Sequence, residues 1–192
     1  MARRETLLAG LRDADPVVQE QAAQALDRLD LLESLPRLLT DLNSFTAAQW
    51  VQLLRSLTGL RDETYLKLAL RALSSPEEDV RAAALDAVAE IGDWRATGPV
   101  CKHLNDLSPV VRARAAATLG QLGDRRGAPH LPPLLEDPEA GVRACAAQAL
   151  GALGHAAAEA ALLRLAADLE PEVRAAAYQA LGRIALAGAV RG

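Results

Sequence analysis

Residues Asp106–Asp124, DLSPVVRARAAATLGQLGD, hold a helix start, an apolar run and a stop in one stretch. Ser108 can accept from a free N–H of the first turn, and Pro109 fits that turn because its missing donor would be unsatisfied there anyway. The alanine- and leucine-rich run that follows favours helix, and Gly123 then offers the positive φ that ends one. The same pattern returns at Asp137–His155, DPEAGVRACAAQALGALGH.

Working outward, Arg81, Arg112, Arg143 and Arg174 stand 31 residues apart, each preceded by valine. Two further steps back reach Trp50 and then Gln19, inside the related stretch DPVVQEQAAQALDRLD. A second column, Leu26, Leu57, Val88, Leu119, Leu150 and Leu181, is apolar throughout. Self-similarity at a fixed period predicts a stacked array of short units. Six units, residues 1–30, 31–61, 62–92, 93–123, 124–154 and 155–192, are expected to form a single domain over 1–192. Each unit is expected to hold two helices, in the fourth over 95–105 and 109–122. The starts at Asp15-Pro16, Ser75-Pro76, Asp137-Pro138 and Glu170-Pro171 are read as the device seen at Ser108-Pro109. Gly120, Gly151 and Gly182, inside the second helices, are expected to allow close approach of a neighbour.

The units PVVRARAAATLGQLGDRRGAPHL and PEAGVRACAAQALGALGH resemble HEAT repeats, in particular the short HEAT-like (E/Z) type of the phycobilisome lyases. The resemblance is strong in units three to six, recognisable in the first and degenerate in the second. It implies an all-α, right-handed α-solenoid of armadillo/HEAT type, with first helices (A) convex and second helices (B) concave. It also implies that the arginine column forms a carboxylate ladder between units rather than an anion site.

Composition agrees with an alanine–leucine core: 51% of the 192 residues are hydrophobic and only 3% aromatic. Only two of the 21 basic residues, Lys67 and Lys102, are lysines, which with the alanine content suggests a GC-rich coding genome. The net charge of −4 gives no attraction to nucleic acid. No apolar run is long enough to span a membrane, no secretory leader is legible, and Cys101 and Cys145 read as free thiols. A cytoplasmic protein is expected.

In the fourth unit the buried stripe of helix B is expected to be Val111, Ala115, Leu119 and Leu122, opposite Val110, Arg114, Ala117 and Gln121. Carrying the opposite stripe through the register yields a candidate ridge. It comprises Gln21, Gln24, Arg28, Gln52, Arg55, Asp79, Asp86, Glu90, Arg114, Gln121, Cys145, Gln148, Gln179 and Arg183. Its amides and charges suit a peptide, helix or partner domain; the alternative is an ordinary solvated face. Trp94, Arg95, Arg125 and Arg126, in the loops GDWRATGP and GDRRGAP, form a second candidate patch that could grip a phosphate or an acidic peptide.

No catalytic constellation appears. Some HEAT-like enzymes hydroxylate a lysine with iron held by His-Glu pairs, and this sequence has no His-Glu dipeptide. The expected function is a non-catalytic interaction scaffold whose partner is a protein or peptide, with no metal, cofactor, nucleic acid or membrane. The alternative is a bilin-lyase-like, cofactor-handling role that uses Cys145 as an exposed thiol.

Overall fold

The computed structural model describes residues 2–23, 25, 26, 29, 30, 45–57 and 63–189. Most of the expected second unit lies outside them. The chain packs as two units, residues 1–46 and 47–192.

In the first unit, helix α1 (Ala2–Gly10) is followed by a helix beginning at residue 16 (α2, described over 16–23). Asp13 and Asp15 order the turn between them, accepting from the backbone N–H groups of Asp15 and Val17. Gly10 sits where a Cβ would fall 2.8 Å from the Ala22 Cβ, so the lack of a side chain lets the two helices meet.

The second unit contains α3 (Ala47–Ser56), α4 (Glu63–Ala72), α5 (Glu78–Ile91), α6 (Thr97–Cys101), α7 (Pro109–Leu122), α8 (Ala140–Leu153), α9 (Glu159–Leu165) and α10 (Pro171–Ala189). Short 3-10 turns join several of them, and no strand occurs among the described residues. Helices α3, α5, α7, α8 and α10 pack in that order, each against the next. Their inward residues, among them Leu54, Leu85, Val111, Leu119 and Leu150, are almost wholly buried. Trp50, in place of the column arginine, is buried too.

Helix α7 has the bounds expected from its sequence. The Ser108 hydroxyl accepts from the Val111 N–H, and Gly123 closes the helix at φ 69°. Gly92 and Gly154 end α5 and α8 in the same left-handed conformation, at φ 70° and 61°.

Two expectations need correction. The first concerns the helix starts. Asp137 is the counterpart of Asp106, not of Ser108: their carboxylates accept from the N–H groups of Glu139 and Ser108, two residues on. Asp168 and Ser75 make the same turn, to Glu170 and Glu77. Helices α5 and α8 therefore begin at Glu78 and Ala140, two residues beyond Pro76 and Pro138. The aspartate shapes the approach, and the helix starts one step later.

The second correction concerns the A helices. Residues 94–105 form a 3-10 turn, the five-residue α6 and another 3-10 turn, not one helix. Residues 125–136 contain only 3-10 turns. Pro129, Pro132 and Pro133 remove three N–H donors within five residues, so a continuous i→i−4 ladder cannot form there.

The arginine column is a structural ladder. Arg81, Arg112 and Arg143 each grip the aspartate 25 residues ahead, Asp106, Asp137 and Asp168, through Nε and Nη2 at 2.7–2.9 Å. Nη1 of each turns back to two carbonyls of the preceding turn, as Arg112 does to Asp106 and Leu107. Arg174 makes the same backward bonds to Asp168 and Leu169. One guanidinium thus ties a helix start to its own entry turn and to the next one.

Candidate interaction groove

The outward faces of α3, α5 and α7 meet along an open groove of about 580 Å³. Arg55 comes from α3, Asp79 and Asp86 from α5, and Arg114 from α7. Asp79 and Asp86 are seven residues apart, two helical turns, so they project from one face. Between the charges lie small or apolar groups, Ala48, Val51, Ala82, Ala83 and Val110. A smaller adjoining hollow of about 160 Å³ adds Glu90 and Tyr65 to Arg55 and Asp86.

Asp86 and Arg114 form an ion pair across α5 and α7, with roughly half of each side chain exposed. An exposed pair of this kind contributes about 1 kcal/mol or less. Arg55, Asp79 and Glu90 have no ion-pair partner among the described residues. Below them the buried Tyr65 hydroxyl donates to the Leu54 carbonyl at 2.8 Å. Burial, then the negative charge of Glu90, pushes its pKa up to about 12, so it remains a donor at neutral pH.

Five residues of the candidate ridge therefore converge: Arg55, Asp79, Asp86, Glu90 and Arg114. Gln21, Gln52, Gln121, Gln148, Gln179 and Arg183 are exposed but do not line either hollow. Gln24 and Arg28 lie outside the described residues. The apolar floor is a further part of the groove. A signal for it existed, since the register column through Val110 and Asp79 also passes through Ala48.

Cys145 corrects the expectation of an exposed thiol. It is half-buried, and burial, then the nearby Glu172 charge, raises its pKa above the ordinary thiol value. Little thiolate forms at neutral pH, and the thiolate is the nucleophile. Cys145 should therefore react with a disulfide reagent several-fold more slowly in the native protein than after denaturation; equal rates would show that it is open after all.

In the loop patch, Arg95 and Arg126 each form an ion pair with the aspartate two residues before, Asp93 and Asp124. These arginine hydrogen bonds hold both carboxyls below the usual carboxylate range. Arg126 also lies over the exposed Trp94 ring, 4.6 Å from its centroid. Arg125 departs from the other three: its Nη2 lies 3.3 Å from where a Gly154 Cβ would be.

The histidines do not converge. The ring of His103 rests between the Pro99 and Leu73 carbonyls, and no metal-capable cluster occurs among the described residues. No described helix is long and apolar enough to cross a membrane.

Residues 98–182 match the family model for HEAT repeats. The match covers less than half of the chain, and this stretch is similar to HEAT repeats. The wider all-helical architecture is that of the armadillo/HEAT solenoids. Among solved structures, the complex of CpcE and CpcF of phycocyanin lyase from Nostoc sp. PCC7120 aligns with a TM-score of 0.61 at 19% identity. That alignment covers 95% of this chain and 65% of the lyase chain, so this chain spans less than two thirds of its length. Human deoxyhypusine hydroxylase aligns with a TM-score of 0.56 at 24% identity, covering 97% and 75% of the two chains. A designed armadillo repeat protein in complex with the peptide (KR)4 aligns with a TM-score of 0.54 at 21% identity, covering 93% and 80%. At these identities the likeness is one of fold. No curated protein matches the chain.

Proposed function

We propose that the protein is a non-catalytic scaffold that binds a peptide, helix or partner domain along the ridge of its B helices, centred on the groove between α3, α5 and α7. The observation that carries this reading is the convergence of Arg55, Asp79, Asp86 and Arg114, from three helices, around an alanine and valine floor. Charges of both signs beside an apolar strip suit an extended backbone or an amphipathic helix, where charges set register and apolar contact supplies affinity. A designed relative that holds a peptide demonstrates that such a fold can serve this purpose. The cofactor-handling alternative loses support because Cys145 is half-buried and weakly acidic.

The test is a triple charge reversal, Arg55→Glu, Asp86→Arg and Arg114→Glu. The last two changes invert one ion pair rather than destroy it, so helical content and Tm should hold. A partner that co-purifies with the parent protein should be lost. Full retention of that partner would overturn the reading.

A further inference from the structure

A separate cavity of about 530 Å³ opens around α6, and only cations and neutral groups line it. Trp94, Arg95, Lys102 and Arg126 line it together with Gly98 and Cys101. We propose that it binds an acidic peptide in which a carboxylate lies next to an aliphatic or aromatic side chain.

The charge balance selects the ligand. Asp93 and Asp124 engage Nε and Nη2 of Arg95 and Arg126, which fixes both guanidinium groups in place. Nη1 of each has no partner among the described residues, and neither has the Lys102 ammonium. The aspartates answer two of the three cations, and the charge of Glu63, itself paired with Lys67, adds only a smaller attraction to Arg95, so Lys102 is the cation left for a ligand. A single carboxylate neutralises it. A phosphate dianion would exceed it and sit close to two existing carboxylates.

The remaining space calls for an apolar neighbour. Trp94 is 57% exposed although Arg126 covers part of its ring, and such an indole suits an aliphatic or aromatic side chain. No heavy atom of the described residues stands within 4 Å of a Cβ built on Gly98, so the space beside it is open. Thr97 lines the same cavity and is 5% exposed. Its hydroxyl lies close enough to Asp124 to help lower that carboxyl, yet meets no partner at hydrogen-bond geometry.

The chain has two tryptophans, so its 1H–15N spectrum contains two indole N–H signals, with the buried Trp50 as internal reference. The probe is acetyl-Gly-Gly-Glu-Leu-Gly-amide, which carries one carboxylate beside one leucine, titrated into the full chain. The Trp94 signal should shift saturably while that of Trp50 stays in place. Lys102→Glu should weaken binding at least tenfold. Gly98→Leu, which occupies that space, should abolish it. The ridge triple variant should bind normally, which separates this site from the groove. The proposal is overturned if the signal does not respond or if the matching lysine–leucine peptide binds as well. It is equally overturned if acetate or inorganic phosphate alone reproduces the shift at the same concentration.

Discussion

Replacing Asp137 with alanine should lower the unfolding free energy by about 3 kcal/mol, because it strands a buried guanidinium. The Arg112 and Asp137 side chains are only 15% and 8% exposed. Without the carboxylate, Arg112 keeps its bonds to the Asp106 and Leu107 carbonyls but loses the two to its charged partner. For a chain of this size, that loss corresponds to a Tm drop of about 6–12 °C. Asp86→Ala, at the exposed pair with Arg114, should change stability by about 1 kcal/mol or less. Equal effects at the two positions would contradict the structural role of the ladder.

The same rung sets the response to acid. Burial alone would raise the Asp137 pKa, but hydrogen bonds from Arg112 and the Glu139 N–H outweigh it and hold the carboxyl below its ordinary value. Asp106 follows the same balance. Asp168 is lowered first by its bond from Arg143. A depressed carboxyl stabilises the fold in its ionised form, so its contribution is complete above about pH 5. That contribution is lost as the pH falls below about 4, through the folded-state values. Urea titrations across this range should show a shallower acid loss in Asp137→Asn than in the parent protein.

Gly151→Ala should destabilise the protein by about 1–3 kcal/mol, although alanine is the better helix former. A Cβ at Gly151 would stand 2.6 Å from the Ala180 Cα and 2.9 Å from its Cβ, forcing α8 and α10 apart. Gly182, one unit later, has no heavy atom of the described residues within 4 Å of the same position. There the propensity gain is unopposed, and Gly182→Ala should stabilise by up to about 1 kcal/mol. Calorimetry on the two variants gives opposite signs if helix contact at Gly151 decides the outcome, and the same sign if it does not.

These glycines illustrate what the sequence makes legible. A shared register predicted one role for Gly120, Gly151 and Gly182, and the first two do meet the next helix closely. Gly182 has no such contact among the described residues, which no residue at its own position could reveal. The B helices were readable because capping, apolar period and terminal glycine all agree at Ser108–Gly123. The A segments of the fourth and fifth units were not, because an apolar run cannot distinguish α-helix from 3-10 turns. The prolines at 129, 132 and 133 were the unused signal.

For the groove, stepping the Arg114 stripe through the register found every charged side chain that lines it. Counting polar residues alone missed Val51, Ala82 and Ala83, the small side chains that make the face hollow. It also placed Cys145 in the open, because a stripe shared with Arg114 says nothing about how deeply a side chain of cysteine's size sinks between helices.

The most direct test of the central claim is amide hydrogen exchange on the protein with its co-purified partner bound and removed. Slowed exchange should concentrate on Ala47–Ser56, Glu78–Ile91 and Pro109–Leu122, the three helices that build the groove. Protection confined to other segments, with these three helices unchanged, would contradict the assignment of the B-helix ridge as the binding face.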